Sequence, residues 1–203
     1  MSAYPLVLDG EAIDAIVVGG GKVATRKALA LLDAGARVHV VSPAISEALQ
    51  AAEGARAGLR VTRDRYSSSH LGSATLVVAA TDDAQTNAAV AADARAGGRL
   101  VNVASAPELG NCVTPAVHRA GDVVVAVSTG RVPNAAVRIR DAIAGTVDAR
   151  YASAVRELST LRRTLLAGGD GTRWSAAAAA LVGADFCEQV ESGAFDARLG
   201  EWR

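Results

Sequence analysis

Residues 17–27 read VVGGGKVATRK, and this stretch decides the fold. A short apolar run, 15–18, leads into it, and an alanine- and leucine-rich stretch typical of a helix follows. The Gly-x-Gly-x-x-Ala spacing predicts that Gly19 permits a tight turn, Gly21 lets the backbone approach a pyrophosphate, and Ala24 packs closely on the strand. The start of the helix supplies free N–H groups and a partial positive charge for phosphates. The stretch therefore favours dinucleotide binding over a merely structural turn.

Strand and helix signals alternate through the first hundred residues. Apolar runs rich in valine predict strands, and the alanine-rich stretches between them predict helices. Further strands are predicted over 37–41, 59–62, 75–80 and 99–103, and helices over 23–34, 45–57 and 83–96. This alternation predicts an α/β fold, a Rossmann-like doubly wound parallel sheet that forms a dinucleotide-binding domain over residues 1–113.

The pattern changes after residue 113. A strand is predicted over 122–127, and a helix runs from Pro133 to about Gly145. From residue 149 onward only helical signals occur, with a glycine-rich break at 168–171. We therefore expect a short segment, 114–148, and a helical C-terminal domain, 149–203.

Composition excludes several classes of function. Lys plus Arg equals Asp plus Glu at 21 each, and aromatic residues are 3%, which argues against nucleic-acid binding. No apolar run approaches the roughly 20 residues of a membrane span. Cys112 and Cys187 lack the spacing of a disulfide framework or a zinc site, so we expect no metal site. The chain is expected to be soluble and cytoplasmic.

Several candidate binding residues follow the predicted strands, whose carboxyl ends line the ligand crevice of such a fold. The second strand ends in Ser42, Pro43 and Ala44, with neither a carboxylate nor a following basic residue for a 2′-phosphate, which favours NAD. Ser42 is predicted to bind the adenosine ribose, and an ordinary strand-ending turn is the alternative.

The fourth and fifth strands end in polar residues as well. Thr81 and Asp82 are predicted to lie near the nicotinamide or substrate, and capping of the next helix is their alternative role. Asn102 and Val103 end the fifth strand at the same crevice, where an asparagine can bond cofactor or substrate or merely terminate the strand.

Taken in order, these pieces resemble the precorrin-2 dehydrogenase family, which includes the dehydrogenase part of siroheme synthase. The likeness covers roughly residues 4–145. It is carried by Tyr4-Pro5-Leu6, VVGGGKVATRK (17–27), ALLDAGARVHVVSP (30–43), VVAATDD (77–83), LVNV (100–103), Pro107, Pro115-Ala116, VAVSTG (125–130) and 133–140.

The resemblance implies an enzyme that oxidises precorrin-2 to sirohydrochlorin with NAD⁺ on a route to siroheme, haem or cobalamin. It also implies a homodimer, with 114–148 serving dimerisation and substrate binding and the C-terminal helices closing over the substrate. The matching cofactor positions are Gly19, Gly20, Gly21, Lys22, Val23, Pro43, Ala44 and Thr81.

Two positions depart from the family pattern. The family has an Asp shortly after the Asn-Val pair, which serves catalysis or the metal insertion that some members perform. Here Ser105 occupies that position, and the resemblance makes it the candidate catalytic residue. Serine is a poor ligand for iron, so the change argues against chelation in particular. Oxidation is compatible with it, because the hydride goes to a cofactor held elsewhere. The turn after Gly130 is also one residue shorter than is usual.

The implied substrate is a polycarboxylate tetrapyrrole, whose site needs cations. Arginine can grip a carboxylate in a bidentate way, although most surface arginines are merely solvated. The predicted substrate-binding residues are Ser128, Arg119, Arg131 and Arg138. An alternative function is a non-catalytic NAD-binding or sensing protein that kept the fold and lost turnover, which the serine at position 105 favours.

Overall fold

The computed structural model describes residues 3–130 and 132–203. The chain divides into two compact units, an N-terminal unit that ends at Thr114 and a C-terminal unit, Pro115–Arg203. The first boundary lies one residue beyond the predicted end of the dinucleotide-binding domain. The predicted division between residues 148 and 149 stays a prediction.

The N-terminal unit contains a five-stranded parallel sheet with the strand order β3-β2-β1-β4-β5. The strands are β1 (Asp14–Val18), β2 (Arg37–Val41), β3 (Leu59–Thr62), β4 (Leu76–Ala79) and β5 (Leu100–Val103). The helices are α1 (Lys22–Asp33), α2 (Glu47–Ala52) and α3 (Ala84–Ala96). The predicted Rossmann-like parallel sheet is therefore confirmed.

Both faces of this sheet are buried. Ile16 of β1 belongs to the core on one face together with Val90 of α3, and Val17 belongs to the opposite core together with Ala24 of α1. Fully burying each valine or isoleucine contributes roughly 1.5–3 kcal/mol, so the sheet is a firm base for the turns at its carboxyl edge.

Helix α2 is much shorter than the predicted 45–57. Ser46 caps its start by accepting a hydrogen bond from Leu49 N–H, which leaves Ile45 outside the helix. Glu53 is already extended and Gly54 has a φ of +81°, so the chain turns away after Ala52. The composition of this stretch is helical, but its glycine ends the helix early.

The C-terminal unit begins with an antiparallel ribbon of β6 (Ala116–Ala120) and β7 (Val123–Val127). The first of these strands was not predicted. The ribbon turns through Gly121 and Asp122, and Gly121 has a φ of +57°. A glycine at the first of two turn residues is typical of a type II′ hairpin, and this was the overlooked signal.

Helices make up the rest of this unit: α4 (Pro133–Ala144), α5 (Ala149–Ala167), α6 (Gly171–Leu181), α7 (Phe186–Ser192) and α8 (Phe195–Gly200). The predicted break at 168–171 separates α5 from α6. An aromatic cluster lies in their core, where Phe186 contacts both Tyr151 and Phe195 edge to face. No helix in the described ranges is both long and apolar enough to span a bilayer.

Candidate dinucleotide site

The glycine turn joins β1 to α1 where the strand order reverses between β1 and β4. Gly19 has a φ of +123°, and a β-carbon there would overlap the carbonyl oxygen of Ala80. A β-carbon at Gly20 would overlap the carbonyl oxygen of Ala44. At Gly21, by contrast, no described atom lies within 4 Å of that position. The turn is therefore packed on its inner side and open on the side that a pyrophosphate would approach.

The first turn of α1 has free backbone donors. Gly21 is its N-cap and supplies no side-chain cap, and the first intrahelical bond runs from Thr25 N–H to Gly21 O. Lys22 and Val23 are exposed, and Val23 leaves 42% of its surface open to solvent. An uncapped helix start attracts anions, so this cradle fits the pyrophosphate of a dinucleotide. Contact of Lys22 and Val23 with the cofactor stays a prediction.

A pair of hydroxyls supports the turn from behind. Thr25 Oγ1 donates to Gly21 O over 2.9 Å and lies 2.8 Å from Ser46 Oγ. Because the Thr25 proton is used in this way, the Ser46 hydroxyl donates to Thr25. Ser46 N–H in turn donates to Gly20 O over 2.9 Å. The sequence pattern did not predict either residue, and together they tie α1 and α2 to the glycine turn.

The turn after β2 contains the predicted ribose contacts. Ser42 is buried, and its hydroxyl donates to Ala44 O over 2.7 Å, as in an ordinary strand-ending turn. The oxygen lone pairs of Ser42 are left to accept a bond from a ribose hydroxyl. Pro43 and Ala44 are exposed at this edge. The predicted cofactor contacts of these residues stay predictions.

Strand pairing brings a cation, Arg63, to the edge of the sheet beside this turn, although the two are far apart in the sequence. Strand β3 pairs with β2 through Val41 and Thr62, so Arg63 follows the neighbouring strand end. Glu53, next after α2, grips its guanidinium, with Nη2–Oε2 at 2.6 Å and Nη1–Oε1 at 3.3 Å. The guanidinium holds the pKa of Glu53 below its usual value. The arginine is thus already engaged by a carboxylate, which keeps the expectation of NAD over NADP.

The turn after β4 is built by side-chain hydrogen bonds. Asp83 caps α3, accepting from Gln85 N–H and Thr86 N–H, so the cap is neither Thr81 nor Asp82. Thr81 Oγ1 instead lies within hydrogen-bond distance of the Asp83 carbonyl oxygen and accepts from Asp83 N–H. Asp82 is exposed. The hydroxyl of Thr81 is therefore occupied in shaping this turn, and its contact with a ligand stays a prediction.

Asn87 of α3 links the ends of β4 and β5. The residue is buried, with 2% of its surface exposed. Its Oδ1 accepts from Thr81 N–H at 3.1 Å and from Thr81 Oγ1 at 2.8 Å. Its Nδ2 donates to Thr81 O at 3.0 Å and to Ser105 Oγ at 3.3 Å. Ser105, the predicted catalytic position, is exposed and is held by this amide.

The predicted contacts in β5 lie deeper than expected. Asn102 is 5% exposed, pairs with Val78 in the sheet, and donates from Nδ2 to Cys112 O over 3.2 Å. Val103 is fully buried in the core, so a cofactor could meet only its backbone. Asn102 thus ties the segment after β5 back to the strand, and the predicted contacts of both residues stay predictions.

A lysine of α1 contacts the segment that follows β5. Lys27 of α1 donates from Nζ to Thr114 Oγ1 over 2.8 Å. Burial lowers the pKa of Lys27 and raises that of the nearby Cys112. The half-buried Cys112 thiol is therefore held in its neutral form.

The predicted substrate residues lie in the C-terminal unit. Arg119 and Ser128 share the exposed face of the β6–β7 ribbon, but Arg119 pairs with Val124, four residues before Ser128. At about 3.4 Å per residue, this separates them by roughly 14 Å along the ribbon. Arg138 is exposed on α4, and Arg131 lies outside the described residues. Substrate binding by these residues stays a prediction.

Several of the remaining titratable residues form structural hydrogen bonds, and they do not form a metal site in the described ranges. His118 lies 2.6 Å from Val147 O through Nε2, which must donate because a carbonyl can only accept. Across residues 3–130 and 132–203, no group of three His, Cys, Asp or Glu side chains is placed to hold a metal ion.

Comparisons with known proteins agree with this geometry. The sequence profile of a family described as putative NAD(P)-binding matches residues 6–116. The siroheme synthase of Saccharophagus degradans is 35% identical over 164 residues, which cover 80% of this chain and 36% of that protein. The siroheme synthase of Ectopseudomonas mendocina is 43% identical over 130 residues, covering 64% of this chain and 28% of that protein. The chain thus spans about a third of these curated relatives.

A solved structure is similar over almost the whole chain. It is the structure of SirC, precorrin-2 dehydrogenase, and it superposes with a TM-score of 0.79 at 27% identity. The match covers 98% of this chain and 100% of that one, so it includes both the dinucleotide-binding sheet and the helical unit. The chain therefore belongs to the NAD(P)-binding family of the siroheme synthases and precorrin-2 dehydrogenases.

Proposed function

We propose that this chain oxidises precorrin-2 to sirohydrochlorin. In the balanced reaction a hydride passes from precorrin-2 to NAD⁺ and a proton leaves to solvent, giving NADH. The observation that carries the proposal is the likeness of both compact units to a precorrin-2 dehydrogenase over 98% of the chain. The open glycine turn agrees with it, because the same turn would hold the cofactor.

The chain's own residues provide binding and orientation in this reaction. The backbone donors at the start of α1 and the open side of Gly21 would hold the pyrophosphate. The turn after β2 would take the adenosine ribose, which leaves the polar turns after β4 and β5 for the nicotinamide and the substrate. Nothing in this division of roles requires a carboxylate at position 105.

A second candidate function is NAD binding or sensing without turnover. The observation that favours it is Ser105, which stands where the family has an Asp. Its hydroxyl contacts the Asn87 amide and, among the described residues, no His or carboxylate that could act as a base. Metal insertion, which some relatives perform, is disfavoured for the same reason.

One experiment separates the two candidates. Purified protein is mixed anaerobically with enzymatically made precorrin-2 and NAD⁺, and the absorbance of NADH and sirohydrochlorin is followed. Equal appearance of both products supports the dehydrogenase. Tight NAD⁺ binding without turnover would exclude it and favour the sensor. Addition of Co²⁺ or Fe²⁺ to the product then tests metal insertion.

We further infer that the chain forms a homodimer, whereas its cytoplasmic location stays a prediction. The exposed face of the β6–β7 ribbon carries Val117 and Val124, and α4 exposes Val137 and Ile139. These apolar side chains fit an interface between copies of the chain. Light scattering of the purified protein tests this, and a monomer at micromolar concentration would contradict it.

A further inference from the structure

The orientation of the Asn87 amide is fixed by the backbone of one residue. Thr81 N–H can only donate, so the atom 3.1 Å from it must be the amide oxygen. Thr81 O can only accept, so the atom 3.0 Å from it must be the amide nitrogen. In a flipped amide the nitrogen would face the Thr81 N–H, donor against donor, and the oxygen would face Thr81 O, acceptor against acceptor. The nitrogen of Asn87 therefore faces Ser105.

This orientation determines which hydrogen bonds the Ser105 hydroxyl accepts and which it can donate. Because Nδ2 of Asn87 donates to Ser105 Oγ, the serine accepts on this side and its proton points elsewhere. The side chain is exposed and follows the carboxyl end of β5, at the edge where the ligands of this fold bind. The Ser105 hydroxyl proton is thus free to bond to solvent or to a ligand bound at this edge.

We propose that Ser105 binds an acceptor oxygen of a ligand through its hydroxyl proton, and that Asn87 is the positioning residue that sets this polarity. The inference rests on the proposed function for the identity of the ligands. The acceptor is a carboxylate oxygen of the tetrapyrrole or the carboxamide oxygen of the nicotinamide. Ser105 accordingly serves in binding, and it does not remove a proton.

The exposed position makes Ser105→Ala a mild change, and Ser105→Thr keeps the hydroxyl. Steady-state kinetics would give KM and kcat for precorrin-2 and NAD⁺ across pH, with equilibrium titrations of each ligand alongside. Loss of one hydrogen bond to a charged oxygen should raise KM about tenfold with little change in kcat, and Thr should restore it. Ser73→Ala, an exposed serine just before β4, is the matched control.

The two ligand sources give different results. A rise in the precorrin-2 KM identifies a substrate carboxylate, and a rise in the Kd for NAD⁺ identifies the carboxamide. Unchanged constants for both ligands would overturn the proposal. A large fall in kcat with a displaced pH profile would overturn it as well, since that result assigns Ser105 to proton transfer.

Asn87→Asp tests the positioning role, because a carboxylate would accept the serine proton and turn it away from the ligand. The change also removes the donor to Thr81 O, so the melting temperature of the variant is measured alongside the kinetics. The variant should raise the KM for precorrin-2 or the Kd for NAD⁺, whichever Ser105→Ala raises, by the same factor. The double variant should raise that constant no further than either single variant. Additive effects in a variant that keeps the wild-type melting temperature would show that Asn87 does not act through Ser105. If the wild type does not oxidise precorrin-2, the proposed function fails, and the equilibrium titrations still decide the role of Ser105.

Discussion

The turns after β1 and β2 meet in close backbone contacts, with the hydroxyls of Ser42 and Thr25 in support, whereas the turns after β4 and β5 are both held by one buried side chain. In the first pair, Gly19 and Gly20 press against carbonyl oxygens and leave no room for a β-carbon. In the second pair, one buried amide, Asn87, holds Thr81 and Ser105. A pyrophosphate bound by backbone N–H groups needs a fixed backbone, while the turns near the substrate can vary through their side chains. The comparison predicts that substitutions in the first pair of turns cause steric overlap, whereas substitutions in the second pair leave polar groups without hydrogen-bond partners.

The largest effect is expected for Gly20→Ala. The new β-carbon would overlap the Ala44 carbonyl oxygen, so the turn must move. We expect the free energy of unfolding to fall by about 3 kcal/mol, measured by urea denaturation. Gly21→Ala is the matched control, because its φ of −80° and open surroundings accept a methyl group. Equal stability of the two variants would contradict the steric account.

Asn87→Ala tests the polar turns in the same way. Removing the amide leaves the N–H and carbonyl of Thr81 without partners in a half-buried turn. We expect a loss of about 2 kcal/mol in unfolding free energy. Gln85→Ala, at an exposed position of the same helix, should change stability far less. If the two variants unfold alike, Asn87 does not stabilise this turn.

The control variant Gly21→Ala has a functional prediction of its own. Its methyl group points to the side from which a pyrophosphate would approach the backbone. We expect the affinity for NAD⁺ to fall about tenfold while the melting temperature stays near that of the wild type. Fluorescence titration would measure this. Unchanged affinity would move the pyrophosphate away from this turn.

The same contrast explains how far the sequence could predict the site. The glycine turn was predictable because the spacing marks both its constrained position, Gly19, and its open position, Gly21, although it does not reveal the close packing at Gly20. Asn87 was not recognised, since an asparagine within a helix has no fixed role. The signal was its place in the buried stripe that continues through Val90, Ala91 and Ala94 of α3. A polar residue in an apolar stripe needs buried partners.

Arg63 was hidden for a different reason. The sequence after β2 contains no nearby base, but the parallel neighbour β3 brings one to the same edge. Strand order is a tertiary property, so no local pattern could place this arginine beside Ser42. Its pairing with Glu53 is likewise visible only in the fold.

Glu53→Gln tests whether the Arg63–Glu53 ion pair beside the turn after β2 affects the choice between NAD⁺ and NADP⁺. The Arg63 guanidinium would lose its charged partner and become available to a 2′-phosphate. Because this ion pair is solvent-exposed, we expect the affinity for NADP⁺ to rise only about threefold relative to NAD⁺. Competitive titration measures the ratio, and Glu47→Gln at the start of α2 is the control. No change in the ratio would separate Arg63 from the ribose site.

The smallest effect is expected from the carboxylate that caps α3. Thr86 donates to Asp83 through its hydroxyl and N–H, which holds the pKa of Asp83 below its ordinary value. A lowered pKa in the folded state adds stability above the unfolded value, and this is lost as pH falls through the folded pKa. Asp83→Asn keeps a cap without the charge.

The melting temperatures of wild type and Asp83→Asn should therefore differ by a constant amount above about pH 5 and converge in stronger acid. Asp82→Asn, at the exposed neighbouring position that does not cap the helix, is the matched control and should keep the wild-type melting temperature at neutral pH. A difference that persists unchanged in acid would mean that the cap acts through its shape alone. The polar turns would then resemble the glycine turns, with geometry rather than charge holding the edge of the sheet.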